Sequence, residues 1–101
     1  MSERQRMKKG YWILHVDVTD PDNYPKYLAA DALAFEKYDA TFHVRGGRCE
    51  GPEGPVKSRH VVIEFESYDK ALECYHSPEY QAAVKLRQAY SKSEIVIVEG
   101  V

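Results

Sequence analysis

The side chains in this sequence best suited to acid-base work fall within short alternating runs. His15 and Asp17 share one phase of Tyr11-Trp-Ile-Leu-His-Val-Asp-Val18, His43 and Arg45 share one phase of the run from Thr41, and His60 and Glu64 share one phase of Arg59-His-Val-Val-Ile-Glu-Phe65. Strand side chains alternate between faces, so if these runs belong to one sheet the ionisable groups collect on one side of it. A carboxylate beside a histidine sets its tautomer and raises its basicity, which is how a general base is commonly built. The same groups suit a structural network equally well, in which paired charges and hydrogen bonds satisfy one another and specify a subunit register. A metal site drawn from His15, His43, His60, Asp17 and Glu64 has little support. No single element carries two of them at ligand spacing, so no metal is expected.

A second group of candidates is aromatic. The chain has eight tyrosines against three phenylalanines, an odd ratio for a plain core because each buried phenol needs a hydrogen-bond partner. Tyr24, Tyr27, Leu28, Asp31, Ala34, Phe35 and Tyr38 recur at three and four residues along one helical stripe, and Tyr75, Tyr80 and Arg87 mark the stripes of later helices. A cleft between helices and sheet, walled by these tyrosines and carrying Arg87 and Asp31, suits a small aromatic or carboxylate ligand. The alternative is that the rings bury their bodies and leave their hydroxyls in water. Other chemistries lack local support: there is no Gly-x-Ser-x-Gly elbow and no Gly-x-Gly-x-x-Gly nucleotide loop. The third strand also lacks the aromatic run of an RNA-recognition module.

The elements that must position these residues are legible from pattern. Residues 1–9 are polar and aperiodic and read as a flexible tail, leaving 10–101 as a single domain. Tyr11 to Val18 alternates as a strand. Asp20-Pro-Asp22 and Pro25 open a helix that runs to about Lys37, and Thr41 to Arg48 reads as a second strand ended by Gly46-Gly47. A Gly- and Pro-containing loop covers Cys49 to Ser58, a third strand Arg59 to Glu66, and Ser67 caps a second helix with Tyr68, Ala71, Leu72 and Tyr75 on its buried face. Ser77-Pro78 starts a third helix, and Glu94 to Glu99 forms the last strand. Trp12, Leu14 and Val16, Phe42 and Val44, and Val61, Ile63 and Phe65 supply the apolar face that meets the helices. The order β-α-β-β-α-β predicts an α+β fold of the ferredoxin-like kind, a four-stranded antiparallel sheet with its helices on one side. On the other side Ile13 and Val62 lie among histidines and charged groups, a pattern that predicts a covered face, and the simplest cover is a second copy of the chain.

With 14 basic and 16 acidic residues the net charge is -2, and the interspersed signs argue against nucleic acid and anionic membranes as partners. The longest apolar run is far short of a membrane span. Cys49 and Cys74 have no ligand spacing and read as reduced packing thiols, the expectation being a cytoplasmic location.

The sequence resembles the DUF1330 family of the dimeric α+β barrel superfamily. The resemblance runs from Gly10 to Val101 and rests on His15-Val-Asp-Val-Thr-Asp20, Tyr24, Tyr27, Val44-Arg-Gly-Gly47, Glu50-Gly51, Val61-Val-Ile-Glu-Phe65, Ser67, Tyr75, Ser77-Pro-Glu-Tyr-Gln81, Arg87 and Val98-Glu-Gly100. It departs at Ala40-Thr41, where the family has Gly-Gly, and at His43 and His60, where the family is apolar. The resemblance implies a ferredoxin-like protomer pairing into a homodimeric barrel, with a ligand pocket between sheet and helices. Superfamily relatives include monooxygenases free of metal and flavin, haem-degrading enzymes and lactone isomerases. By that analogy the chain is an isomerase or monooxygenase that needs no cofactor, with His15 or Glu64 as proton carrier and Tyr24, Tyr27, Arg45, Tyr75, Tyr80 and Arg87 around a small acidic or aromatic ligand. The competing expectation is a non-catalytic ligand-binding or interaction homodimer, since one fold hosts many activities.

Overall fold

A computed structural model describes residues 8–101, so the expected tail over 1–9 lies outside the described residues as far as residue 7. The elements are β1 (Gly10–Val18), α1 (Tyr24–Lys37), β2 (Thr41–Arg45), β3 (Arg59–Phe65), α2 (Tyr68–His76), α3 (Pro78–Tyr90) and β4 (Ser91–Glu99). The strands form one antiparallel sheet in the order β2-β3-β1-β4. This is the ferredoxin-like arrangement, an α+β layer pair with all helices on one side of the sheet. No helix among the described residues is long and apolar enough to cross a membrane.

The helix starts follow from local chemistry. Asp20 organises the entry to α1: its carbonyl accepts from the Tyr24 amide at 2.9 Å and its carboxylate accepts from the Asn23 side chain at 2.8 Å. Pro25 then sits in the first turn, where no amide is required. The Ser67 hydroxyl accepts from the Lys70 amide at 3.1 Å and caps α2. Ser77 serves two helices, donating to the Cys74 carbonyl at 2.7 Å and accepting from the Tyr80 amide at 3.2 Å. With Pro78 following, one residue ends α2 and begins α3, which is why the two helices join without a loop.

Trp12 stands at the centre of the core with none of its surface exposed. Its indole N–H donates to the Ala71 carbonyl at 2.9 Å, and Tyr80 and Phe35 meet it edge-on at centroid distances of 4.7 and 5.3 Å. Leu14, Val16, Val61, Ile63 and Phe65 complete the sheet side of this layer, each full burial contributing roughly 1.5–3 kcal/mol. The buried face of α2 is Ala71 and Cys74, while Tyr68, Leu72 and Tyr75 are half-buried.

Two expectations about β2 need correction. The strand ends at Arg45, because Gly46 takes a positive φ of 71° and turns the chain away. Within it, Phe42 pairs with Ile63 but Val44 pairs with Val62 and Arg45 with Val61, leaving His43 as an extra residue in a bulge. One inserted residue inverts the alternation beyond it. Val44, expected in the core, therefore faces outward and is exposed, whereas Arg45, expected beside His15 and Glu64, joins the helix-facing side.

Candidate functional site

A narrow cleft lies between α1 and the sheet, beside the end of β2 and the start of β3. Leu14 and Val16 from β1, Phe42 from β2, and Val61 and Ile63 from β3 form its floor, and Tyr24, Tyr27, Leu28 and Phe35 from α1 form its wall. Its polar groups are Asp31, Arg45 and Arg59. The void with its mouth measures about 330 Å³, but the centre of a water molecule can occupy only about 20 Å³ of it. Such a space holds about one water, so a larger ligand must part the mouth.

Asp31 is the unusual group. It is 5% exposed, it lies one helical turn beyond Tyr27 on the same face of α1, and among the described residues it is in no ion pair. Burial pushes its carboxyl up to about 7, against the opposing pull of Arg45, the Tyr27 hydroxyl and Arg59. A carboxyl poised near neutrality can both take and return a proton at physiological pH.

Around Asp31 the wall is electropositive. Arg59 lies over the Tyr24 ring at 5.9 Å, Arg45 over the Phe42 ring at 4.4 Å, and the Arg59 Nε is buried without a hydrogen-bond partner. Behind the wall, the Tyr27 and Tyr80 hydroxyls are 2.8 Å apart and Arg87 Nη1 donates to the Tyr80 hydroxyl at 2.8 Å. Burial raises the Tyr27 phenol well above its usual range and that of Tyr80 to about 12, so both remain protonated. Burial also raises Tyr24, against the pull of Arg59.

The residues singled out from sequence thus separate into three places. Tyr24, Tyr27 and Arg45 line the cleft. Tyr80 and Arg87 are buried behind it, and Tyr75 packs edge-on against Trp12 at 5.9 Å, away from the cleft. His15 and Glu64 occupy the opposite face of the sheet. There His15 pairs with His60 across β1 and β3, Nδ1 to Nδ1 at 2.8 Å, and Glu64 accepts from His43 at 2.9 Å and meets Lys9 at 3.9 Å. Asp17 accepts from the Ser58 amide at 2.8 Å instead of orienting His15. No group of three or more candidate metal ligands occurs among the described residues.

Sequence reasoning placed Asp31 on the right stripe without giving it a proton, and it passed over Arg59. The signal for Arg59 was present: Arg59, Val61, Ile63 and Phe65 share a phase, so the first of them reaches the helix-facing side at the strand's open end. The open face of the sheet is more apolar than expected, because Val44, Val96 and Val98 lie exposed around Ile13 and Val62.

The architecture has many solved counterparts. A protein of unknown function from Rhodopseudomonas palustris superposes with a TM-score of 0.77 at 19% identity, over 95% of this chain and 85% of that one. SnoaB, a cofactor-independent oxygenase from Streptomyces nogalater, gives 0.61 at 16% identity over 93% and 94%. A dimeric ferredoxin-like protein of unknown function from Thermobifida fusca gives 0.64 at 14% identity over 94% and 93%. At these identities the likeness shows the fold alone. No functionally curated protein matches the sequence. The family model of the domain of unknown function DUF1330 matches residues 9–101, nearly the whole chain, and the protein belongs to that family.

Proposed function

We propose that the protein is a homodimer in which each protomer binds a small acidic organic molecule in the α1–sheet cleft and moves a proton on it without metal or organic cofactor. The observation that carries this reading is Asp31, a buried carboxyl that shares its cleft with two guanidinium groups, Arg45 and Arg59. Burial of an ionisable group has a cost that a folded chain normally avoids or pairs off. Here the carboxyl is left able to change charge near neutral pH, which is what a proton carrier requires. Arg45 and Arg59 supply the anchor for an anionic substituent. His15 and Glu64 lie on the other side of the sheet, so Asp31 replaces them in the role of proton carrier.

Assembly is supported by the opposite face. Ile13, Val62, Val96, Val98 and Val44 form an apolar patch interrupted by the His15–His60 and His43–Glu64 pairs. Patches of this kind on a small chain commonly mark an interface, and the dimeric Thermobifida protein has the same fold. A two-fold pairing of this face should bury about 1,000 Å² or more in total. The cofactor-independent oxygenase of the same fold is consistent with chemistry carried by protein side chains.

The test is a thermal-shift screen of small keto acids and aromatic acids against the wild-type protein and Asp31→Asn, followed by calorimetry on any hit. Acids that stabilise the protein, with affinity lost in Arg45→Ala and Arg59→Ala, support the cleft. Hits that bind both arginine variants unchanged place the ligand elsewhere and refute it.

A further inference from the structure

Arg87, Tyr80 and Tyr27 form a chain whose direction is fixed by what each group can donate. Arginine has only donors, so the Tyr80 oxygen accepts from Arg87 Nη1. Tyr80 has no exposed surface, and the Tyr27 oxygen is the other partner of its hydroxyl, at 2.8 Å. If Tyr27 donated to Tyr80, the Tyr80 proton would be buried with no acceptor, at a cost that folded proteins seldom bear. Tyr80 therefore donates to Tyr27. The proton of Tyr27 must then point elsewhere: of the two phenols Tyr27 is the one that lines the cleft, and there its hydroxyl bears on the Asp31 carboxylate until that group takes up a proton.

The charge around this chain is out of balance. Arg87 is 3% exposed, its Nε is buried without a partner, and among the described residues it meets no carboxylate. Its field reaches Tyr24, Tyr27 and Tyr80, favouring the ionised form of each. In the cleft itself two guanidinium groups, Arg45 and Arg59, act on a single carboxyl, Asp31. Such a site is completed by one more negative charge, brought by what enters it.

We propose that the Arg87–Tyr80 relay compels the Tyr27 hydroxyl to donate into the cleft, and that the cleft thereby takes small keto acids, holding the carbonyl oxygen at Tyr27 and the carboxylate at Arg45 and Arg59. The assignment rests on the cleft being the ligand site. Asp31 as carboxylate removes a proton from the carbon next to the carbonyl. The C–H electron pair forms the new carbon–carbon double bond, and the carbonyl π pair moves to oxygen as an enolate. Tyr27, polarised through Tyr80 by the guanidinium behind it, donates to that oxygen as its charge develops. Exchange of the Asp31 proton with solvent, followed by its return to carbon, closes the cycle, and no oxidant or reductant is consumed. Arg87 and Tyr80 touch nothing in the cleft and act as positioning residues.

Pyruvate is the probe, with acetone as its uncharged counterpart. Exchange of the pyruvate methyl protons in deuterated water, followed by proton magnetic resonance, reports the step directly, and calorimetry reports binding. Wild-type protein should exchange pyruvate well above the buffer rate and bind it in preference to acetone. Tyr80→Phe keeps the ring, and should lower the exchange rate at saturating pyruvate about tenfold or more. Arg87→Lys, which keeps a donor, should retain most of that rate, whereas Arg87→Met should fall with Tyr80→Phe. In a Tyr27→Phe background, Tyr80→Phe should cost little further, because the relay has no other outlet. Asp31→Asn should bind pyruvate without exchanging it. Equal exchange by wild type, Tyr80→Phe and Arg87→Met, each folded by circular dichroism, overturns the relay while leaving the cleft intact. Independent, multiplying losses from Tyr27→Phe and Tyr80→Phe also overturn it. Failure of the wild type to bind or exchange pyruvate overturns the keto-acid assignment, and if Arg45→Ala and Arg59→Ala leave the binding of every acid found by screening unchanged, the cleft reading falls as well.

Discussion

Replacing Asp31 by asparagine should change how the stability of the protein depends on pH. The carboxyl ordinarily titrates at 3.8 and in the fold at about 7, so between those values the native state holds a proton that the unfolded chain has released. Because the folded value is the higher one, unfolding free energy falls as pH rises through this window and is level above it. A displacement of this size corresponds to about 4 kcal/mol. Asp31 is 5% exposed, so solvent screening reduces it little. Asparagine keeps the shape and cannot ionise, which removes that slope and makes the variant the more stable protein above pH 7. Urea unfolding of both proteins at intervals from pH 4 to pH 8.5 isolates the effect, since titrations of other groups cancel in the difference. Parallel curves for the two proteins would refute the assignment of a neutral carboxyl to the cleft.

Arg45→Ala removes the strongest influence holding the Asp31 carboxyl down, so the midpoint of the same pH-dependent loss should move upward, and no movement would mean that Arg45 does not reach the cleft in solution. Val96→Asp places a charge on a side chain that is 50% exposed in the protomer; light scattering should show monomers with a nearly unchanged melting temperature, and a persistent dimer would exclude this face as the interface. Trp12→Phe strips the buried Ala71 carbonyl of its indole donor and should cost about 1–3 kcal/mol in urea unfolding. Cys49 is exposed and Cys74 buried, with its thiol pushed up to about 12; a thiol reagent should therefore titrate Cys49 alone until denaturant is added.

The sequence by itself determined the order of the elements and the fold. Alternation set the phases of β1 and β3, Ser67 and Ser77-Pro78 set two helix starts, and the order of elements left one simple antiparallel arrangement. Those signals are local, because a cap or a strand phase is decided within a few residues. The tyrosine stripe was equally legible, and it led to Tyr24, Tyr27 and Tyr80.

Tertiary structure decided which groups meet. The bulge at His43 reverses the face of Arg45, and nothing in Thr41-Phe-His-Val-Arg45 marks where an extra residue is inserted, since a bulge depends on the partner strand. The high carboxyl value of Asp31 arises from desolvation by residues distant in the chain, Phe42 and Val61 among those lining its cleft. A helical stripe places Asp31 inward but cannot tell whether a cation closes on it. The direction of the Arg87–Tyr80–Tyr27 chain likewise needs three side chains from two helices brought within hydrogen-bond reach. Local pattern fixes which way a side chain points, and packing of non-adjacent elements fixes its dielectric surroundings and its partners, from which the chemistry follows.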